Sequence, residues 1–310
     1  MNYLDEIDQK FPVRRSDEEK RLFREYASEK FRDLGGEARC EASRDGKHKN
    51  LVVGDPESAD VVFCAHYDTP ASSPFPNLML PRSPLLFWIY QFLPLILLVG
   101  VSLLFGYLLS LAFEENVEIA FYFGFLAIYY ILYFLFYRTF KNRHNRNDNT
   151  SGVASIITLY ERLGEEERKR CLFVLFDNEE MGLLGSKSFY NDNKEALSSK
   201  PVINLDCVGN GKSFIFIAKP EAEKCELYGV LKESVQSSDD YSVHYFPKRG
   251  SEANSDYKRF PLGIGCMASK KTGHGIFYTP RIHTGRDVIA DTENIDFIAD
   301  GLSRFVRAIP

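Results

Sequence analysis

The chain has 310 residues, of which 38 are lysine or arginine and 43 are aspartate or glutamate, so its net charge is −5. A protein that binds nucleic acid is usually basic, and the charge therefore gives no support for that class. The length allows one large domain or two small ones.

The N-terminal segment predicts a helix and no targeting sequence. It begins MNYLDEIDQKFPVRR, which lacks the apolar stretch of a signal peptide. Ser16 and Glu19 have the spacing of a capping box, which predicts a helix that reaches about Leu34. Residues 60–65, DVVFCA, then predict a buried strand, and His66-Tyr67-Asp68 follows it.

Two long uncharged segments come next and predict a transmembrane hairpin. Residues 85–113 and 119–137 contain no charged side chain, and they are joined by the acidic segment EENVE, residues 114–118. About 20 residues of helix span roughly 30 Å, the hydrocarbon thickness of a bilayer. The alternative is a pair of buried helices in a soluble core, but the short acidic connection and Trp88 near one end argue against it. We therefore expect residues 82–140 to form a two-helix insert that contacts lipid through residues 85–137.

The flanking charges predict the orientation of this hairpin. Basic residues stand on both sides of it, whereas the connecting loop has three acids and no base. They are Arg82 before the hairpin and Arg138, Lys141, Arg143 and Arg146 after it. Positive charge stays on the cytoplasmic side of a membrane, so a two-span protein with both flanking parts in the cytoplasm is expected. The six scattered cysteines, without a CxxC pair, agree with a reducing compartment.

Residues 1–81 and 141–310 together predict a single α/β domain. Helices are expected at 150–163, from about 184, at 221–236 and at 292–308, and strands at 172–176, 202–205, 214–218 and 263–268. Such alternation implies a sheet with helices on its faces.

Residues with metal-binding side chains follow several of these strands. In α/β sheets, ligands bind at the carboxyl ends of the strands. Each of these residues, taken alone, can be explained without a metal, as a helix cap or as part of a surface loop. Together, two histidines and several carboxylates suit zinc. Cys64 and Cys207 are also candidate ligands, although packing is the favoured role for both. The HExxH, GxSxG and P-loop patterns are absent from the sequence.

These segments resemble peptidase family M28, the co-catalytic zinc aminopeptidases. The resemblance rests on HYD at 66–68, NDNTSG at 147–152, NEEMGLLGS at 178–186, NLD at 204–206 and PRIHTGRD at 280–287. The segment NSDYKRF, residues 254–260, is similar to the SDH-containing segment of the family, with Tyr257 in place of the histidine. This departure bears on the substrate pocket and not on the metal site.

The resemblance implies a mixed, mainly parallel sheet flanked by helices and two zinc ions per chain. Asp148 would bridge the two ions, His66 and Asp206 would complete one site, and Glu180 and His283 would complete the other. Asp68, on the same strand face as His66, would orient the His66 ring, and Glu179 would act as the general base.

The implied activity is that of an exopeptidase, and an aminopeptidase that uses a metal-bridging hydroxide is the leading hypothesis. The substrate would be a peptide. Alternatives within the family are a carboxypeptidase and a glutaminyl cyclase, and a non-catalytic membrane scaffold is a further alternative. The complete set of five ligands argues against the cyclase and the scaffold.

Overall fold

The computed structural model describes residues 2–73, 75, 77–113, 115–135 and 140–310. Within them lie eleven α-helices, ten strands and one short 3-10 helix, Asp256–Arg259. The helices are α1 (Tyr3–Lys10), α2 (Asp17–Asp33), α3 (Pro84–Ser110), α4 (Val117–Phe134), α5 (Gly152–Arg162), α6 (Glu165–Lys169), α7 (Leu184–Asp192), α8 (Lys194–Leu197), α9 (Pro220–Glu223), α10 (Glu226–Ser234) and α11 (Thr292–Arg307). The strands are β1 (Ala38–Ala42), β2 (Lys49–Val53), β3 (Val61–His66), β4 (Asn77–Met79), β5 (Cys171–Phe176), β6 (Val202–Leu205), β7 (Ser213–Ala218), β8 (Ser242–Pro247), β9 (Gly263–Lys271) and β10 (Phe277–Ile282).

The strands form one mixed sheet, as predicted. Its main path runs β1-β2-β5-β3-β6-β9-β10-β4, and β7 pairs with both β8 and β9. The four neighbouring strands β5, β3, β6 and β9 are parallel. Antiparallel pairs flank them, and β7 and β8 add one further parallel pair. The parallel centre brings the carboxyl ends of β5, β3 and β6 side by side, which is where ligands bind in such sheets.

Strand β3 shows how the core is divided between the two faces of the sheet. Val61 and Phe63 belong to the larger cluster, which also contains side chains of α1, α2, α5 and α11. Val62 and Cys64 point to the opposite face and pack with Phe189 of α7. Alternate residues of a strand face opposite sides, so a strand that is apolar throughout is buried on both.

Helices α3 and α4 pack against each other and expose most of their other side chains. Helix α3 has 27 residues and α4 has 18. The most apolar 18-residue segment has a mean hydropathy of 2.5 in α3 and 1.7 in α4. Only 17% of this segment in α3 and 11% in α4 are buried. By length and composition, both helices could cross a bilayer. Of the predicted hairpin, Glu114, Phe136, Tyr137, Arg138 and Thr139 lie outside the described residues.

The hairpin lies between strands of the same sheet. Strand β3 precedes it in the chain, and β3 pairs with β5 and β6, which both follow it. The start of α3 is attached to the sheet, because Phe87 packs in a cluster with Met79 and Leu80. Gln91 also donates a hydrogen bond from Nε2 to Asn77 Oδ1, at 2.8 Å.

The predicted elements are mostly found, with three differences. Helix α2 has the predicted capping box between Ser16 and Glu19. The helix expected at 221–236 is instead two short helices, α9 and α10, because Cys225 between them has extended backbone angles. The helix expected from residue 150 begins at Gly152, after an irregular turn, Arg146–Ser151. Strands β1, β2, β4, β8 and β10 and helices α1, α6 and α8 were not predicted.

Candidate metal centre

Five side chains with nitrogen or oxygen donors meet at the carboxyl ends of the central strands. They are His66 at the end of β3, Asp148 in the irregular turn before α5, Glu180 in the loop after β5, Asp206 directly after β6 and His283 directly after β10. They form two groups that share Asp148, namely His66–Asp148–Asp206 and Asp148–Glu180–His283. In each group the candidate ligand atoms lie within 4.8 Å of one another. The structure thus brings together all five residues predicted as ligands.

Asp148 directs one carboxylate oxygen to each group. Its Oδ1 lies 3.3 Å from His66 Nε2, and its Oδ2 lies 2.9 Å from His283 Nε2. The other two carboxylates approach the same ring nitrogens. Asp206 Oδ1 is 3.8 Å from His66 Nε2, and Glu180 Oε1 is 3.3 Å from His283 Nε2. This is the arrangement that a carboxylate bridging two cations requires.

A backbone contact orients the His66 ring. Its Nδ1 lies 3.2 Å from the carbonyl oxygen of Asp68. Because a carbonyl oxygen can only accept, Nδ1 is the donor in this contact, and Nε2 faces Asp148. In a neutral ring oriented in this way, Nε2 would be the nitrogen free to bind a metal. The Asp68 carboxylate is farther from the ring, with Oδ1 at 3.6 Å from Nδ1.

The carboxylate of Asp68 instead holds the loop that carries the two glutamates. Oδ1 accepts a hydrogen bond from the backbone N–H of Glu179 at 2.9 Å, and Oδ2 accepts one from the N–H of Glu180 at 3.2 Å. Asp68 lies two residues beyond the end of β3 and not within the strand. It therefore positions His66 through its backbone carbonyl and both glutamates through its side chain.

The turn that carries Asp148 is fixed by side chains that the sequence did not single out. Asp287 accepts hydrogen bonds from the backbone N–H groups of Asn147 at 3.1 Å and Asp148 at 2.9 Å. Asn149 donates from Nδ2 to the carbonyl of Leu205 at 2.9 Å. Gly152 has no room for a side chain, since a Cβ there would lie 2.3 Å from the Leu205 carbonyl oxygen.

Arg14 is a second residue that the sequence did not reveal. Its side chain is fully buried, and its guanidinium donates to the carbonyl oxygens of Tyr67 and Phe11 and to Thr150 Oγ1. Burial lowers the pKa of Arg14 to about 10, against the attraction of carboxylates that include Asp68. No sequence pattern predicts that a single arginine in a polar segment will be buried in this way.

Burial and neighbouring charges shift the pKa of two glutamates and two histidines at this site. Burial raises the pKa of Glu179 and of Glu180, and the histidine opposite each one offsets only part of that effect. Burial alone would lower the pKa of His66 and of His283, but the surrounding carboxylates raise both well above the usual value. The site thus attracts protons, and a divalent cation would take their place.

The donor set fits zinc. It consists of two imidazole nitrogens and three carboxylates, which are ordinary zinc ligands. The Oε1 atom of Glu180 is buried and accepts no hydrogen bond from the described residues, which leaves it available to a metal.

The two candidate cysteines have other surroundings. Cys64 is buried in the core, and its Sγ contacts Asn204 Oδ1 at 3.4 Å. Cys207 lines a cavity together with the five candidate ligands, but it belongs to none of the ligand groups found in the described part of the chain.

Tyr257, which stands where the family has a histidine, is a core residue. Its side chain is fully buried, and Oη donates to the carbonyl of Ala253 at 3.0 Å. A Cβ at Gly265 would come within 2.8 Å of the ring, so the ring packs directly on β9.

Two cavities open from the candidate ligands. One, of about 450 Å³, is lined by all five candidate ligands and by Glu179, and the base of α3 closes one side of it through Phe87, Trp88 and Gln91. The other, of about 690 Å³, shares Glu180, His283, Asn77 and Gln91 with the first. That the hairpin contributes to these walls was not predicted.

The model of peptidase family M28 matches residues 144–306, slightly more than half of the chain. This range includes Asp148, Glu179, Glu180, Asp206 and His283. His66 and Asp68 precede it, on the other side of the hairpin.

Among curated proteins, a probable glutamate carboxypeptidase of Arabidopsis thaliana is 33% identical over 137 residues, which cover 38% of this chain and 20% of that protein. A vacuolar membrane protease of Kluyveromyces lactis is 29% identical over 170 residues, which cover 52% of this chain and 18% of that protein. The chain therefore spans no more than about a fifth of the length of these relatives.

Solved structures share the fold at low sequence identity. A zinc-dependent exopeptidase of Parabacteroides distasonis has a TM-score of 0.58 at 14% identity and covers 99% of this chain and 96% of its own. A glutaminyl cyclase of Bacteroides thetaiotaomicron has a TM-score of 0.59 at 14% identity, with coverages of 99% and 96%. The aminopeptidase LapA of Legionella pneumophila has a TM-score of 0.56 at 14% identity, with coverages of 98% and 69%. These similarities show a zinc-exopeptidase-like fold.

Proposed function

We propose, from the premise that this chain belongs to peptidase family M28, that it is a membrane-anchored dizinc aminopeptidase. The observation that carries this proposal is the position of Asp148, whose two oxygens face His66 and His283 in two separate ligand groups. One cation could bind between His66, Asp206 and Asp148, and a second between Glu180, His283 and Asp148. Zinc bound there would supply Lewis acidity and lower the pKa of a water molecule.

The chain's own residues would move the proton. Glu179 is buried beside His66, and Asp68 holds its backbone N–H. In this position its carboxylate can take a proton from the attacking water and pass it to the nitrogen of the leaving amine. The peptide C–N bond breaks, the carbonyl carbon gains the water oxygen, and Glu179 returns to its ionised form.

The charges around the cavity that contains the five candidate ligands, here called the metal cavity, favour a substrate with a free amino terminus. Lys258 lines this cavity and could otherwise bind a terminal carboxylate. Its Nζ already lies 3.0 Å from Glu252 Oε1 and donates to Asn254 Oδ1 at 3.0 Å. A carboxypeptidase is the second candidate, since the relative from Arabidopsis thaliana is named as one.

The hairpin would anchor the enzyme in a membrane. We propose a division into one catalytic domain, residues 1–81 and 141–310, and a two-span insert, residues 82–140, with both flanks on the cytoplasmic side. The hydropathy of α3 and α4 and the exposure of their outer faces support this division.

Zinc content and end-group specificity test the proposal together. The full chain, purified in detergent, should contain close to two zinc ions, release leucine from leucine p-nitroanilide, and lose this activity on chelation. An N-acetylated peptide with a free C-terminus is the matched probe for the carboxypeptidase. Cleavage of the acetylated peptide alone would contradict the aminopeptidase assignment, and a fully active preparation with one zinc ion would contradict the two-ion site.

A further inference from the structure

The base of the hairpin forms part of the wall of both cavities. Phe87, Trp88 and Gln91 line the cavity that contains the metal-binding residues. Tyr90, Gln91 and Pro94 line the neighbouring cavity, together with Tyr133 from α4. A substrate that reaches the metal centre through these openings would contact the hairpin.

The length of α3 gives the height of this wall above the bilayer. A helix of 27 residues is about 40 Å long, whereas about 20 residues cross the hydrocarbon. If the hydrocarbon part ends at Ser110, next to the connecting loop, it begins near Gln91. Phe87 and Trp88 then lie about one turn outside the hydrocarbon, at the level of the lipid headgroups, where tryptophan is enriched.

The contacts of α3 with the sheet hold the wall at this height. Gln91 is hydrogen-bonded to Asn77 of β4, and Phe87 is only 7% exposed. The guanidinium of Arg82, just before α3, donates to the Gly250 carbonyl at 3.1 Å and stacks on Phe246 at 4.3 Å. The openings of the metal centre are therefore fixed next to the membrane surface.

We propose that the substrates are peptides bound at the membrane surface, whose free N-termini enter the metal cavity between α3 and β4. Trp88 is 49% exposed and gives the substrate side chains an apolar contact. Gln91 and Asn77 lie where the two cavities meet and can hydrogen-bond the substrate backbone. This inference rests on the proposed aminopeptidase function and on insertion of α3 and α4 into a bilayer.

A series of anchored peptides tests the height of the site. The full chain is reconstituted in phosphatidylcholine vesicles with peptides that share one N-terminal sequence and carry a C-terminal palmitoyl-lysine after a spacer of 5 or 20 residues. Five extended residues reach at most about 18 Å. The short-spacer peptide should be cleaved with a kcat/KM at least tenfold above that of the same peptide without the anchor. Cleavage of the long-spacer peptide alone would place the site far from the bilayer and overturn the inference.

Two substitutions distinguish direct contact between substrate and hairpin from a mere accumulation of substrate on the vesicle surface. In Trp88→Ala, the ratio of kcat/KM for the short-spacer peptide to kcat/KM for leucine p-nitroanilide should fall at least fivefold. Ile89→Ala is the matched control, because Ile89 is on the same turn, is 59% exposed, and is not among the residues that line either cavity. The control should keep the wild-type ratio.

The outcomes distinguish this inference from the proposed function. Hydrolysis of the anilide without preference for the anchored peptide, or equal effects of the two substitutions, would overturn the inference alone. If the zinc-loaded enzyme hydrolysed neither the anilide nor any peptide, both would fail.

Discussion

At the scale of single residues, the two adjacent glutamates have different neighbours. Both lie within 4.8 Å of His66, but Glu180 also approaches His283, with Oε1 at 3.3 Å from Nε2. Both are held by the same Asp68 carboxylate through consecutive backbone N–H groups. The Asp68 carboxylate thus positions both glutamates, and Glu180 also belongs to the group formed with Asp148 and His283.

Exchanging each glutamate for glutamine should therefore have different results. Glu179→Gln keeps the shape of the side chain but cannot take up a proton, so turnover should fall roughly 100-fold or more with both zinc ions retained. Glu180→Gln should weaken one zinc site, and added zinc should partly restore activity. Zinc content and kcat of the two variants are the measurements. A loss of zinc in Glu179→Gln, or a near-normal rate, would contradict the roles assigned here.

Asp287 gives a second prediction, because its two oxygens accept the N–H groups of Asn147 and Asp148. In Asp287→Asn the amide N–H₂ replaces one acceptor, and a buried donor is left unsatisfied, at a cost of about 1–3 kcal/mol. A domain of this size loses about 2–4 °C in Tm per kcal/mol, so the Tm of the metal-free protein should drop by several degrees.

The control for Asp287→Asn is Asp300→Asn. Asp300 is 57% exposed and pairs with Arg162 at the surface, where such ion pairs contribute about 0–1 kcal/mol. Equal shifts in the Tm of the two variants would argue against a special role of Asp287.

The candidate ligands could be predicted from residue types at strand ends, whereas the residues that hold them in place could not. His66, Glu180 and His283 are metal-binding residue types, and their segments resemble known motifs. Asp287 and Arg14 act through backbone N–H and carbonyl groups that are distant in sequence. No local pattern encodes such contacts.

At the scale of secondary-structure elements, the two hairpin helices meet along small side chains. The buried positions of α3 beyond its base are Leu98, Ser102, Gly106 and Ser110, spaced four residues apart, and those of α4 are Ala120 and Gly124. A Cβ at Gly124 would lie 3.1 Å from Gly106 Cα. Small residues of this spacing allow membrane helices to approach closely.

A larger side chain at this crossing should separate the helices. Gly124→Leu should destabilise the hairpin by about 1–3 kcal/mol, the usual cost of overpacking. Gly100→Leu is the control, because a Cβ there meets no atom of the described residues within 4 Å. Thermal unfolding in detergent should show a lower Tm for Gly124→Leu only. If the two variants lost stability equally, the crossing at Gly106 would not matter.

Two kinds of local signal made elements predictable, a continuous apolar segment and a capping box. The continuous apolar segment of β5 and the capping box of α2 were clear signals. Strands β1 and β8 are only partly buried, so their sequences do not show a buried pattern. The interruption between α9 and α10 lies at Cys225, which no sequence signal marked as a helix end.

At the scale of the whole molecule, strand order brings distant residues together. Strand β3 lies between β5 and β6, although the hairpin separates it from both in the chain. Alternating helices and strands predicted a sheet, but they do not specify which strands are neighbours. That His66 would lie beside Glu180 and Asp206 was therefore implied only by the resemblance to the family.

Some of the basic residues that predicted the orientation form ion pairs within the protein. Arg146 pairs with Asp5 and Asp8, and Lys141 pairs with Glu19. Charges neutralised in this way attract anionic lipid headgroups less strongly. Orientation by positive charge acts during insertion, however, before these ion pairs have formed, so the prediction from the sequence remains.

The prediction at the scale of the whole chain is its topology in the membrane. A reporter inserted after Asn116, in the loop between α3 and α4, should be accessible from outside the cytoplasm, whereas one fused to the C-terminus should be accessible only from inside. Two spans return the chain to the side that it left, so residues 2–73 and 140–310 must share one compartment if their strands are to pair in a single sheet. Whether the two reporters lie on opposite sides of the membrane thus tests whether α3 and α4 cross it. Which reporter faces the cytoplasm tests the orientation. A C-terminus outside the cytoplasm would contradict the orientation, and two reporters on the same side would show that α3 and α4 do not cross the membrane.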